Sequence, residues 1–245
     1  MRVYRALVIP VVLLAAPYAT PQEGPLVQTG HVMTFRELLS KRNVDLSEPS
    51  LVEALRNPDA HVRYLSALVL AEDKATNAIP AIASALRAET VPETKANIAL
   101  ALAQLGNDMG FETLRNVCND QNVPDHLRVY AAMYLLDVGE GSCLNSTLDL
   151  MQSGADSSAR VLALSQLHRF PNVSADDSKR IEAVILLALR DQTPQVRIAA
   201  SGAASRLAPP VAISTLTSAI AVEQDEAVKS RMQLDMQRVL ATKSP

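Results

Sequence analysis

The chain has no tryptophan, an aromatic fraction of only 3%, 8 glycines and 2 cysteines among its 245 residues. Eight glycines are too few for a Gly-rich phosphate cradle, and no G-x-S-x-G elbow is present. No H-x-x-x-H, C-x-x-C or H-E-x-x-H spacing occurs among His31, His61, His126, His168, Cys118 and Cys143. A zinc site needs three or four converging ligands, so the sequence is read as having no metal, no cofactor and no catalytic constellation. Basic runs are missing too, with nothing longer than Lys41-Arg42 and Lys179-Arg180. That excludes a stripe able to neutralise a nucleic-acid backbone, so no nucleic-acid partner is expected. The formal net charge is −3.

What is abundant is alanine and leucine within a hydrophobic fraction of 48%. These residues have high helix propensity and allow helices to approach closely. Alternation of the strand kind is rare, and the expected class is all-α.

Residues 1–19 differ from the rest. Arg2 and Arg5 precede an apolar run from Ala6 to Ala16, followed by small residues up to Ala19 and polar Thr20, Gln22 and Glu23. That order is the pattern of a secretory signal peptide, and the run is short for a permanent membrane span. A periplasmic or secreted location follows as an expectation, with residues 20–33 as a linker and residues 34–245 as the folded part. No stable membrane span is expected after cleavage.

A basic residue opens an apolar run six times, at Arg63, Lys95, Arg128, Arg160, Arg197 and Lys229, with gaps of 32, 33, 32, 37 and 32 residues. Positions one before, three after and seven after it are small or apolar, as in Leu127, Ala131 and Leu135. A spacing of four places them on one helix face. Six residues before it stand Asn57, Glu89, Asn122, Gly154, Asp191 and Glu223, mostly turn and capping types. Upstream of each turn lies a second apolar segment, such as Ile79 to Leu86 or Ile213 to Ile220. Each unit is thus helix, turn, helix, and one unit alone cannot bury both apolar faces.

Asp191-Gln192-Thr193-Pro194-Gln195-Val196-Arg197-Ile198-Ala199-Ala200 resembles the signature of HEAT repeats, the bacterial HEAT-like group in particular, and Asn57 to Arg63 is a second copy. The resemblance runs from about Ser47 to Leu240. It implies an α-solenoid of about six two-helix repeats, here with a short capping helix after Thr34. It also implies a protein-binding scaffold, with a protein or peptide partner along the curved surface. Contact candidates on the second helices are Tyr64, Asn97, Tyr130, Gln166 and His168. Two alternatives stand beside it: an accessory or lyase-like factor, because bacterial HEAT-like repeats resemble those of bilin lyases, and a self-associating envelope protein.

Three smaller expectations complete the reading. The basic ladder is structural, pairing with turn acids or carbonyls such as Glu89, Asp191 and Glu223. The last helix presents a polar outer face containing Gln233, Asp235, Gln237 and Arg238. Parallel stacking of the first helices puts Cys118 and Cys143 at opposite ends, beyond bridging distance, so both are expected as free thiols.

Overall fold

The computed structural model describes residues 33–152 and 156–241. The expected signal segment and nearly all of the linker lie outside these residues, as does Gly154. The described residues contain thirteen α-helices and no strand. Helix α1 (Phe35–Ser40) is followed by six helix pairs. The first helices of the pairs are α2 (Glu48–Ala54), α4 (Ile79–Ala88), α6 (Asp108–Asn119), α8 (Leu144–Gln152), α10 (Ala175–Ala188) and α12 (Pro209–Val222). The second helices are α3 (Ala60–Glu72), α5 (Pro92–Gln104), α7 (Asp125–Asp137), α9 (Ser157–Gln166), α11 (Pro194–Ala204) and α13 (Glu226–Ala241). The fold is an all-α solenoid of six two-helix units with an N-terminal cap.

Each second helix begins just before its ladder residue, and the stripe of spacing four is the core. Val62, Ile98, Ala131, Ala163, Ala200 and Met232 are at most 3% exposed. Small residues dominate because each second helix packs against the next second helix and also its own first helix. α1 is held by a capping box in which the Thr34 hydroxyl accepts from the Glu37 N–H at 3.2 Å. Its Leu39 is fully buried and Arg36 pairs with Asp73 at the end of α3, so α1 covers the edge the first unit would otherwise expose.

In the first three units the ends of the second helices repeat as closely as their starts. Lys74, Gly106 and Gly139 each stand eleven residues after the ladder position, and all have positive φ, at 55°, 77° and 82°. Their N–H groups bond the carbonyls of Ala71, Ala103 and Leu136. This left-handed residue ends the helix, which is why glycine holds two of the three positions.

The regular stack changes between units three and four, and there the thiol expectation is corrected. Cys118 and Cys143 form a disulfide with Cα atoms 6.1 Å apart. After α7 the chain does not start the next first helix level with the start of α6. Residues 138–143 instead run along α6: Glu140 pairs with Arg115 at 2.5 Å, and Cys143 reaches Cys118. α8 therefore starts beside the last turn of α6, where Ser146 bonds Asn119. The buried core also divides near this point, one cluster ending around Leu135 and Cys143 and the next beginning with Leu136 and Leu148. Closing a loop of 25 residues stabilises by restricting the unfolded chain. Cys118→Ser is expected to lower stability by about 2–3 kcal/mol in denaturant titration under non-reducing conditions. Equal midpoints with and without reductant in the wild type would count against the bond.

Candidate functional site

The ladder residues are placed by the repeat. Arg63 donates from Nε to Glu89 Oε2 at 2.7 Å and from Nη2 to Oε1 at 3.0 Å. Its Nη1 donates to the carbonyls of Asn57 and Pro58. Arg197 does the same four units on: 2.7 and 3.0 Å to Glu223, with Nη1 on the carbonyls of Asp191 and Gln192. Each Glu also accepts two backbone N–H groups at the next helix start, Thr90 and Val91 or Gln224 and Asp225. Burial pushes the Glu89 and Glu223 carboxyls up. The arginine and backbone hydrogen bonds outweigh it and hold both below the usual carboxylate range.

The partner type tracks the residue six before the next ladder position. Where it is Asp191, Arg160 pairs with it. Where it is Asn122, the ladder residue is Lys95, which is exposed and makes no ion pair among the described residues. Arg128 is 7% exposed and turns to the Cys118 carbonyl at 3.3 Å and Asp125 at 3.4 Å. Lys229 stands 4.0 Å from Glu226 in its own helix. Arg63, Arg160 and Arg197 thus link one unit to the next, whereas Arg128 and Lys229 bond within their own units.

The contact candidates fall into two groups. Tyr64 is half-buried in α3, with its ring 5.8 Å from that of His61. Tyr130 lies between His126, at 6.4 Å, and Tyr134, stacked at 6.5 Å. Burial pushes the Tyr134 hydroxyl up to about 12, with Tyr130, Asp137 and Tyr64 adding smaller contributions. The Tyr64 contribution puts the two tyrosines within electrostatic reach across α5. His126 Nε2 reaches Glu93 at 3.2 Å, joining α7 to α5. Asn97 is less available: its amide donates to the Glu93 carbonyl of its own helix at 2.9 Å.

The second group lies in the C-terminal half. Gln166 accepts from Arg169 at 2.6 Å and donates to Ser165 at 2.7 Å. His168 is exposed in the 3₁₀ turn after α9, and desolvation followed by Arg206 and Arg169 lowers its pKa. Neither residue reaches Tyr130. Between α9, α11 and α13 runs a groove of about 460 Å³ whose walls include Ile198, Gly202, Arg206, Arg231 and Arg238. No single segment of sequence showed this convergence, because Arg231 and Arg238 come from α13 and Arg206 from the turn after α11.

One expectation about α13 is corrected here. Asp235 is 1% exposed and does not belong to the polar outer face. It accepts from Ser201 of α11 at 2.9 Å and from Arg231 and Arg238 at 3.1 Å each. The exposed positions of α13 include Gln233, Gln237 and Arg238 as expected, together with Leu234 and Leu240.

No cluster of three or more metal-ligating side chains occurs among the described residues, and no described helix is long and apolar enough to cross a membrane.

Residues 48–140 match the family model for HEAT repeats. No curated protein sequence matches the chain. The chain is similar in fold to human deoxyhypusine hydroxylase in complex with glycerol, with 16% identity, TM-score 0.42, and coverage of 79% of this chain and 74% of that one. The CpcE–CpcF complex of phycocyanin lyase from Nostoc sp. PCC7120 is similar at 20% identity and TM-score 0.49, covering 89% and 80%. An engineered protein is similar at 18% identity and TM-score 0.49, covering 80% and 99%.

Proposed function

We propose that the protein is a non-enzymatic scaffold, exported from the cytoplasm, that holds a protein or peptide partner along the face made by its second helices. The observation that carries the reading is the aromatic row on that face. Tyr64 with His61 in the first unit, and Tyr130 and Tyr134 with His126 in the third, keep part of their surface in solvent. Tyrosine and histidine rings supply large contact area at low entropic cost, with polar edges for hydrogen bonds. In a solenoid built from alanine and leucine, aromatic groups on the open face are where binding energy concentrates.

Export is supported by the order of residues 1–23 and by the Cys118–Cys143 bond, since disulfides persist in oxidising compartments. Fractionation of a tagged full-length chain with intact-mass measurement tests this part. Trimming near residue 19 and the loss of two thiol hydrogens are expected in material recovered outside the cytoplasm. An untrimmed, reduced chain in the cytosol would remove the export reading and leave the scaffold reading in place.

The scaffold reading is tested by cross-linking in periplasmic extract or culture medium with wild type and Tyr64→Ala/Tyr130→Ala. A partner captured by the wild type and lost with the variant is the expected result. No partner under any condition, or equal capture by both, would remove it.

A further inference from the structure

The face that carries the aromatic row changes charge along its length, and the change follows a single register. Nine residues after the ladder position stand Glu72, Gln104 and Asp137 in the first three units, then Arg169, Arg206 and Arg238 in the last three. Arg169 is neutralised across the middle junction by an ion pair with Asp137. Arg206 is exposed and makes no ion pair among the described residues. Arg238 and Arg231 share one carboxylate, the buried Asp235.

Three guanidinium groups at this groove therefore face a single acid, and two positive charges are left over. The arrangement is also pre-organised. Asp235 is fixed by Ser201 and takes only Nε of Arg231 and one Nη of Arg238. The remaining N–H groups of each fork stay open to a ligand. Beside the arginines the groove is lined by the apolar Ile198 and Ala199 and by Gly202. A Cβ added at Gly202 would meet nothing within 4 Å, so the glycine deepens the groove and does not relieve a clash.

We propose that this groove between α9, α11 and α13 binds an extended acidic peptide segment of a partner protein. Two carboxylate side chains of that segment engage Arg206 and the Arg231–Arg238 pair, and a small apolar side chain sits over Gly202. This rests on the scaffold reading and deepens it by naming the chemistry of the partner. Carboxylates fit guanidinium forks in bidentate geometry, and two of them match the uncompensated charge. A nucleic-acid backbone is less well matched, because its affinity grows with the number of phosphates neutralised, and here the surplus is two. The same register explains direction: Glu72, Gln104 and the ion-paired Asp137 offer an acidic segment no cation at this position in the first three units, which are left to the aromatic row.

The test is fluorescence anisotropy with the full chain and a labelled peptide of Ala and Leu carrying an Asp-Glu pair. The matched Asn-Gln peptide and a labelled single-stranded oligonucleotide serve as comparisons. Two variants leave the buried ion pairs untouched: Arg206→Gln removes a guanidinium without a partner, and Gly202→Met fills the groove. The acidic peptide is expected to bind about tenfold or more tightly than its amide counterpart, and to weaken about fivefold with Arg206→Gln. Gly202→Met is expected to weaken it about tenfold with no loss of thermal stability. Equal binding of the acidic and amide peptides, unchanged binding by both variants, or preference for the oligonucleotide would each overturn the proposal. If the acidic peptide does not bind while the wild type still captures a partner that Tyr64→Ala/Tyr130→Ala loses, the groove assignment falls and the scaffold reading stands.

Discussion

Glu89→Ala is expected to destabilise the protein by about 4 kcal/mol, far more than loss of a surface ion pair. The Glu89 side chain is 2% exposed, and it completes two things at once. It neutralises Arg63, itself 18% exposed, and it satisfies the Thr90 and Val91 N–H groups that open α5. Alanine leaves a largely desolvated guanidinium and two uncapped donors. Arg63→Met/Glu89→Leu should recover much of the loss, because an apolar pair of similar volume removes the orphaned charge. Glu89→Gln should be intermediate, since it keeps the acceptor oxygen and loses the charge. A double-mutant cycle by urea titration reads all of these, and independent, additive effects would show that the pair does not couple units one and two.

The same contacts set the acid limit. Both Glu89 and Glu223 are held below their ordinary value of 4.5 in the fold. A carboxyl lowered on folding contributes stability that is present above the unfolded value and is lost as pH falls through the folded one. The wild type should therefore lose stability progressively below about pH 4.5, and Glu89→Gln should show a shallower decline over that range.

Much of the fold was legible because each unit repeats the same solution. A period near 32 fixed six second helices, and the spacing of four around Arg63 through Lys229 picked out the buried stripe, of which only Met236 stays partly exposed. The residue six before each basic position marked the inter-unit partner at Glu89, Asp191 and Glu223, because the partner belongs to the next copy of the pattern. The disulfide was not legible. Period says how far apart two helices are in sequence but not where along its neighbour a helix begins, and that offset is set by the path of residues 138–143 beside α6. The basic groove was hidden for a related reason. A search for runs of Lys and Arg along the chain cannot find Arg206, Arg231 and Arg238, which meet only after α11 and α13 pack. The signal that finds them is the charge at one repeat register, nine after the ladder, compared between the two halves. Asp235 was misplaced because a carboxylate in a terminal helix reads as solvated, and its burial is made tolerable by Arg231 and Arg238 together with Ser201 on the facing helix.

Gly110→Val should be the most damaging single substitution in the first four units, costing about 4 kcal/mol or more. Helix propensity argues the opposite way. Gly110 is the third residue of α6, where replacing glycine with an ordinary residue ought to stabilise by up to about 1 kcal/mol. Packing decides the sign. A Cβ there would stand 2.6 Å from the Ala99 carbonyl oxygen and 2.8 Å from the Leu102 Cβ, and closer still to the Ala103 backbone nitrogen. Two of these three obstacles are main chain inside α5, which cannot turn aside as a flexible side chain would. α6 must therefore lift from α5, and Leu102 and Leu114, both fully buried, lose contacts as it does. Gly110→Ala should already cost about 2 kcal/mol for the same reason. Gly202→Ala supplies the control, since it is also a helical glycine but has open space where the Cβ would go. It should gain about 0.5–1 kcal/mol. Thermal melts of the two alanine variants therefore move in opposite directions, Gly110→Ala down and Gly202→Ala up. If both rise, α6 is not seated on α5 by this close approach, and the small-residue seam that lets the second unit meet the third is not what sets their distance.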